Sequence, residues 1–148
     1  MEEQQQYTKE SPFILKEKIG DMMKYGKKAV ASFPRRERQT ADAIRKSMLD
    51  MYRLAIVVEK KYYKKTTLQD LDVELDVLQH LIRLAHDKDF YDKAVTVKDS
   101  TGEKMRNQDG TAKTIKMQPP LSIHKYETWS RMLNEIGRII GGYMKYVK

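Results

Sequence analysis

Residues 122–147, SIHKYETWSRMLNEIGRIIGGYMKYV, carry apolar side chains at alternating steps of four and three: Trp129, Leu133, Ile136, Ile140, Tyr143 and Val147. That spacing puts them on one stripe of an α-helix, the seam of an amphipathic helix packed against partner helices. Ser122 is suited to the N-cap, and Pro119-Pro120 stops any helix from running in. Gly137, Gly141 and Gly142 lie inside the segment, where each costs up to ~1 kcal/mol against alanine. Gly137 and Gly141, one turn apart, mark a face where another helix is expected to come close. A membrane-dimer reading of that spacing fails, because Glu135, Arg138 and Lys145 interrupt any apolar span.

Three earlier segments supply the partners. Ser11-Pro12 reads as a cap and first helical residue, followed by Leu15, Ile19, Met22, Gly26, Ala29 and Phe33 at helical steps. Phe33-Pro34 then breaks the chain and starts a second helix expected to reach about Lys65. Its seam is Ile44, Met48, Met51, Ala55, Val58 and Tyr62, with Leu49, Tyr52 and Ile56 forming a second seam beside it. Thr66-Thr67 is expected to separate helices two and three, Thr67 and Asp70 resembling a capping box. Leu68, Leu71, Leu75, Leu78, Ile82 and Ala85 make the third seam, broadened by Val73, Val77, Leu81 and Leu84. Helices two and three are thus apolar over more than one core face requires, so each is either central or covered by another subunit.

Periodicity fails over residues 88–121, where turn signals stand at Thr101-Gly102 and Asp109-Gly110. Residues 94–98 and 111–117 are candidate strands of a hairpin. The expectation is an all-α chain: one domain over residues 1–148, an antiparallel four-helix bundle with a flexible tail at 1–10. The segment 88–121 is a long insertion between helices three and four, with β-hairpin character.

Charge narrows the function. The chain has 29 Lys+Arg against 21 Asp+Glu, a net of +8, and no cysteine, which excludes disulfides and thiolate chemistry. Residues 12–65 hold fifteen basic and six acidic side chains, a net of +9, whereas residues 66–86 carry −3. A basic half of this kind favours polyanionic partners. Arg35, Arg36 and Arg38 crowd the start of helix two against its dipole, where a phosphate would compensate. Further along, Lys46, Arg53 and Lys60 recur every seven residues with Arg45, Lys61, Lys64 and Lys65 nearby, and Tyr62 and Tyr63 offer stacking surfaces. These ten basic residues are the candidate nucleic-acid contacts.

Other chemistry is poorly supported. Asp72, Asp76, His80 and Arg83 share a polar stripe, but no second motif completes a metal site, so no metal or cofactor is expected and ion pairs are the preferred role. His86 and His124 are read as structural. Gly102 to Lys104 lacks the first glycine and the Ser/Thr of a phosphate loop. The polar, partly acidic start MEEQQQYTKE is unlike a secretory signal and no stretch could span a bilayer, so a cytoplasmic location is expected.

FPRRERQTADAIRKSMLDMY, LDVELDVLQHLIRLAHD and YETWSRMLNEIGRIIGGYMK resemble the Avd accessory proteins of diversity-generating retroelements. The closing run is the most specific, with Glu135, Ile136, Gly137, Ile139, Ile140, Gly141, Gly142 and Tyr143 at the family's Glu-Ile-Gly and Gly-Gly-aromatic positions. The long insertion departs from the family's short turn between helices three and four. A related family encoded in ribosomal RNA intervening sequences usually has Asn-x-x-Glu-Gly after the helix-two proline, where this chain has Pro34-Arg35-Arg36-Glu37-Arg38. The resemblance implies a non-catalytic homo-oligomer, typically a pentameric ring, that partners a reverse transcriptase and its template RNA in mutagenic complementary-DNA synthesis. The competing expectation is a protein-protein adaptor that never touches nucleic acid.

Overall fold

The computed structural model describes residues 11–91 and 94–147, so the expected tail at 1–10 lies outside the described residues. The chain is all-α in class. Helix α1 spans Ser11–Ala31, α2 Arg38–Lys60, α3 Lys65–His86 and α5 Ile123–Tyr146; a single turn, α4, covers Lys88–Tyr91. Strands β1, Ala94–Thr96, and β2, Thr114–Lys116, pair antiparallel with Val95 opposite Ile115. Among the described residues, no helix is long and apolar enough to cross a membrane.

Contacts run in opposite directions along three of the neighbouring pairs of long helices. Lys16 reaches Glu59 while Gly26 lies against Met48, so α1 and α2 are antiparallel. Ser47 Oγ donates to Glu74 Oε1 at 2.8 Å across α2 and α3. Gly137 lies against Leu75, and the His86 ring stacks on Tyr126 at 4.2 Å, between α3 and α5. Lys18 pairs with Glu135 at 2.8 Å, and Trp129 Nε1 donates to Met22 Sδ at 3.3 Å, closing α5 onto α1. The result is a helical bundle whose core is built from the seams read from sequence: Leu15, Ile19, Ile44, Met51, Leu71, Leu78, Ile82, Leu133 and Ile140 are among its fully buried members. Tyr62, expected in the seam of helix two, is instead exposed beyond the end of α2.

Trp129 sets the closest approach in that core. Its ring lies over Gly26, where a Cβ would fall 2.6 Å from Trp129 Cζ2 and from Met48 Sδ. The weakness that Gly26 introduces into α1 is therefore the condition for seating the indole. The two glycines expected to mark a packed face on α5 differ: a Cβ at Gly137 would meet Leu75 Cδ2 at 3.3 Å, whereas Gly141 is exposed with open space around it. Close packing explains Gly137 only.

The turn between α2 and α3 also differs from the sequence expectation. Helix α2 stops at Lys60 and α3 begins at Lys65, so the break falls within the KKYYKK run and not at Thr66-Thr67. Thr67 is buried in the first turn of α3 instead of capping it, and Lys64 occupies the N-cap position without a side-chain bond there. A continuous helix would bring Lys60 over Lys64 and Lys61 over Lys65, two like-charge pairs at i, i+4 that oppose helix formation. Breaking the helix instead frees the Lys64 ammonium to donate to the Val58 carbonyl and, at 3.5 Å, to that of Glu59, satisfying the end of α2.

The segment between α3 and α5 is held at both roots. Tyr91 is buried at the start, and Leu121 is buried at the return, where its N–H donates to Ala85 O at 3.1 Å. Between them, three backbone bonds close a ring: Val97 N–H to Lys113 O, Lys113 N–H to Met105 O and Met105 N–H to Val97 O, at 2.7–2.8 Å. Two tight turns radiate from this junction, and Gly102 and Gly110 supply the φ of +86° and +84° that they require.

Candidate nucleic-acid interface

The ten candidate cations do not form one stripe. Seven of them sit at the two ends of α2, a helix of 23 residues and so about 34 Å long, and Arg45, Lys46 and Arg53 lie between. At its N-terminal end, Pro34 is extended and Arg35–Glu37 forms a 3₁₀ turn, which places Arg35 and Arg36 just before the helix and Arg38 at its first position. All three are exposed. Helix α2 has no side-chain N-cap, because Glu37 at that position is turned elsewhere. Its carboxylate is buried and accepts the Tyr91 O–H at 3.0 Å. The uncompensated positive end of α2 therefore adds to three arginines.

The Glu37–Tyr91 bond is a feature that the sequence does not announce, since 54 residues separate the partners. Burial first, then the hydrogen bond to Glu37, pushes the Tyr91 hydroxyl up to about 12. This bond ties α4, and with it the root of the β insertion, to the arginine-bearing turn. Lys98, Lys104, Arg106 and Lys113 of the insertion are all exposed, and Lys98 stands directly across the ladder from Lys104. Like charges so placed repel.

The middle of α2 is electrically quieter. Asp42 lies 3.1 Å from Arg45 and 4.0 Å from Arg38, and Lys46 pairs with Asp50 at 2.9 Å. The hydrogen bond to Asp50 raises the Lys46 ammonium above its ordinary value. Arg53 is exposed and forms no ion pair among the described residues.

At the other end, Lys60, Lys61 and Lys65 are exposed and unpaired among the described residues, while Lys64 is turned in to cap α2. The adjacent acid, Glu59, is held by Lys16 at 2.7 Å, a bond that lowers the Glu59 carboxyl and raises the Lys16 ammonium. Its hydrogen bond thus goes to α1, and it acts on Lys60 and Lys64 only through space. Tyr62 and Tyr63 project from the same turn, 87% and 77% exposed.

Helix α3 presents the opposite charge. Asp70, Asp72 and Asp76 are exposed, and Asp76 lies 3.5 Å from His80 on its own helix. Among the described residues, no three His, Asp or Glu side chains converge as a metal site would require. Val73, Val77 and Leu84 form an exposed apolar stripe on the outer side of α3, and Leu49 and Ile56 do the same on α2. Leu49 edges a groove of about 480 Å³ between α1 and α2, floored by Met23, Met48 and Tyr52 and rimmed by Lys24 and Lys27.

The fold and charge define a small all-α protein with cations gathered at the ends of one helix. The chain matches the bAvd-like family over residues 13–101, and it belongs to that family. The match covers α1, α2 and α3 and enters the insertion; α5, whose closing run carries the most specific resemblance, lies beyond it. No curated protein matches the chain.

Proposed function

We propose that this protein is a non-catalytic, nucleic-acid-binding accessory subunit of a retroelement. In this reading it assembles as a homo-oligomer, a pentameric ring of antiparallel four-helix protomers, and assists a reverse transcriptase in copying template RNA. Membership of the bAvd-like family is the observation that carries the reading. The unpaired cations at both ends of α2 support an RNA partner, since phosphate contacts need only exposed, unneutralised Lys and Arg. The apolar stripe on α3 sits among Asp70 and Asp76, and that on α2 among Lys46, Arg53 and Lys60. Two such faces with opposite rims suit a head-to-tail contact that closes by rotation. Repetition around a ring would multiply modest phosphate contacts into useful avidity.

Light scattering with and without a structured RNA, at two salt concentrations, tests this reading. It expects a discrete oligomer that gains mass with RNA at low salt and releases it at high salt. A species that ignores RNA at both salts would replace it with the adaptor reading, in which the same faces bind only protein.

A further inference from the structure

The turn between α2 and α3 has chemistry that phosphate binding alone does not use. Its sequence, residues 60–65, is KKYYKK, and Tyr62 and Tyr63 are the most exposed large side chains with apolar surface among the described residues. Neither belongs to the core cluster. Their rings meet edge to face, with centroids 4.9 Å apart and planes at 87°. In that geometry one ring keeps both faces open and the other keeps its outer face, so at least three π faces remain uncovered.

The backbone on either side of them is tied by hydrogen bonds. The Lys61 N–H closes α2 on Val57 O at 2.9 Å, and Lys64 donates to the Val58 carbonyl. Leu68 N–H returns to Lys64 O at 2.9 Å, with Thr67 and Leu68 buried directly behind. The backbone flanking the rings is thus braced, and their edge-to-face contact places them side by side, which lowers the ordering cost of binding. Lys60, Lys61 and Lys65 flank the rings, and Glu59 is already held by Lys16.

We propose that this turn is a stacking platform for unpaired bases, with Tyr62 and Tyr63 taking base faces and the flanking lysines taking the adjoining phosphates. The inference rests on the nucleic-acid reading above and narrows it to single-stranded segments at this end of the protein. Bases inside a duplex are already stacked on their neighbours and offer no face to an aromatic ring, whereas loops and single strands do. Every base has a π face, so the platform recognises strandedness and not sequence.

Fluorescence anisotropy on the full chain tests it with two labelled probes, a 12-nucleotide oligouridylate and a blunt 12-base-pair RNA duplex. The substitutions are Tyr62→Ala with Tyr63→Ala, Tyr62→Phe with Tyr63→Phe, and Lys60→Gln with Lys61→Gln and Lys65→Gln. All lie on the exposed turn, and circular dichroism confirms that each variant is folded. The alanine pair should lose roughly five- to a hundredfold in affinity for the single strand, the span expected for one stacked base, and less than twofold for the duplex. The phenylalanine pair should bind like the wild type, and the lysine variant should weaken on both probes. If the wild type binds oligouridylate and the alanine pair binds it equally well, or loses as much on the duplex, the stacking platform is overturned while the nucleic-acid reading stands. Failure of the wild type to bind either probe overturns both.

Discussion

Replacing Gly26 with alanine sets two effects of comparable size against each other. In an unobstructed helix the change would gain up to ~1 kcal/mol, because alanine loses less backbone entropy than glycine. Here the new methyl would sit 2.6 Å from Trp129 Cζ2 and Met48 Sδ, and 3.1 Å from Trp129 Cε2. Carbon contacts prefer ~3.5–4.0 Å, so the overlap is about 1 Å. Met48 is unbranched and can swing aside. Trp129 cannot: it is fully buried, its Nε1 donates to Met22 Sδ, and the Tyr25 ring stands edge-on beside it. Overpacking of this kind costs ~1–3 kcal/mol, which leaves a net loss of roughly 1 kcal/mol. Gly141 is the internal control, since a methyl there meets open space and should gain ~0.5–1 kcal/mol. Urea unfolding followed by Trp129 fluorescence, at one fixed protein concentration because the stability of any assembly depends on it, should separate the two variants by about 2 kcal/mol. Equal stabilities, or a more stable Gly26→Ala, would refute the packing argument.

Other perturbations probe the surface and the insertion. Replacing Arg35, Arg36 and Arg38 together with glutamine should weaken binding to structured RNA. It should also reduce the slope of log K against log salt by about 2, three phosphates at ~0.7 each, as read by binding titrations at several salt concentrations. Tyr91→Phe strands the buried Glu37 carboxylate without its donor and should cost ~1–3 kcal/mol in urea unfolding. Because the Tyr91 hydroxyl is pushed up to about 12 from an ordinary 10, its stabilising contribution is complete below pH 10. That contribution is lost as pH rises towards 12, and Tyr91→Phe should flatten the alkaline loss of stability over that window. If the proposed homo-oligomer forms through the exposed stripe of α3, Val73→Arg with Val77→Arg should disperse it in light scattering while circular dichroism stays helical.

The helical core was legible because its signal is periodic. Leu68, Leu71, Leu75, Leu78, Ile82 and Ala85 repeat every three or four residues and are all buried, and Trp129, Leu133, Ile136, Ile140 and Tyr143 behave likewise. What the pattern could not supply is anything set by contacts distant in sequence. The role of Gly26 depends on a tryptophan 103 residues away, and the fate of Glu37 on a tyrosine in another element. The end of α2, expected near Lys65, was misplaced because Tyr62 continues the apolar spacing, while repulsion among the lysines and the Lys64 cap end the helix at Lys60, about five residues sooner. Among the candidate contacts, sequence spacing suggested a continuous stripe. Pairing of Arg45 with Asp42 and of Lys46 with Asp50 quietens its middle, where only Arg53 is left unpaired among the described residues, and acidic neighbours at i−3 and i+4 were the available signal.

The proposed accessory role is tested most directly by complementary-DNA synthesis by a retroelement reverse transcriptase encoded beside this protein, on its template RNA, with and without this protein. The account predicts that synthesis depends on the protein, falls when Arg35, Arg36 and Arg38 are all glutamine, and recovers in proportion to RNA affinity. Synthesis of equal yield and fidelity without the protein would contradict it.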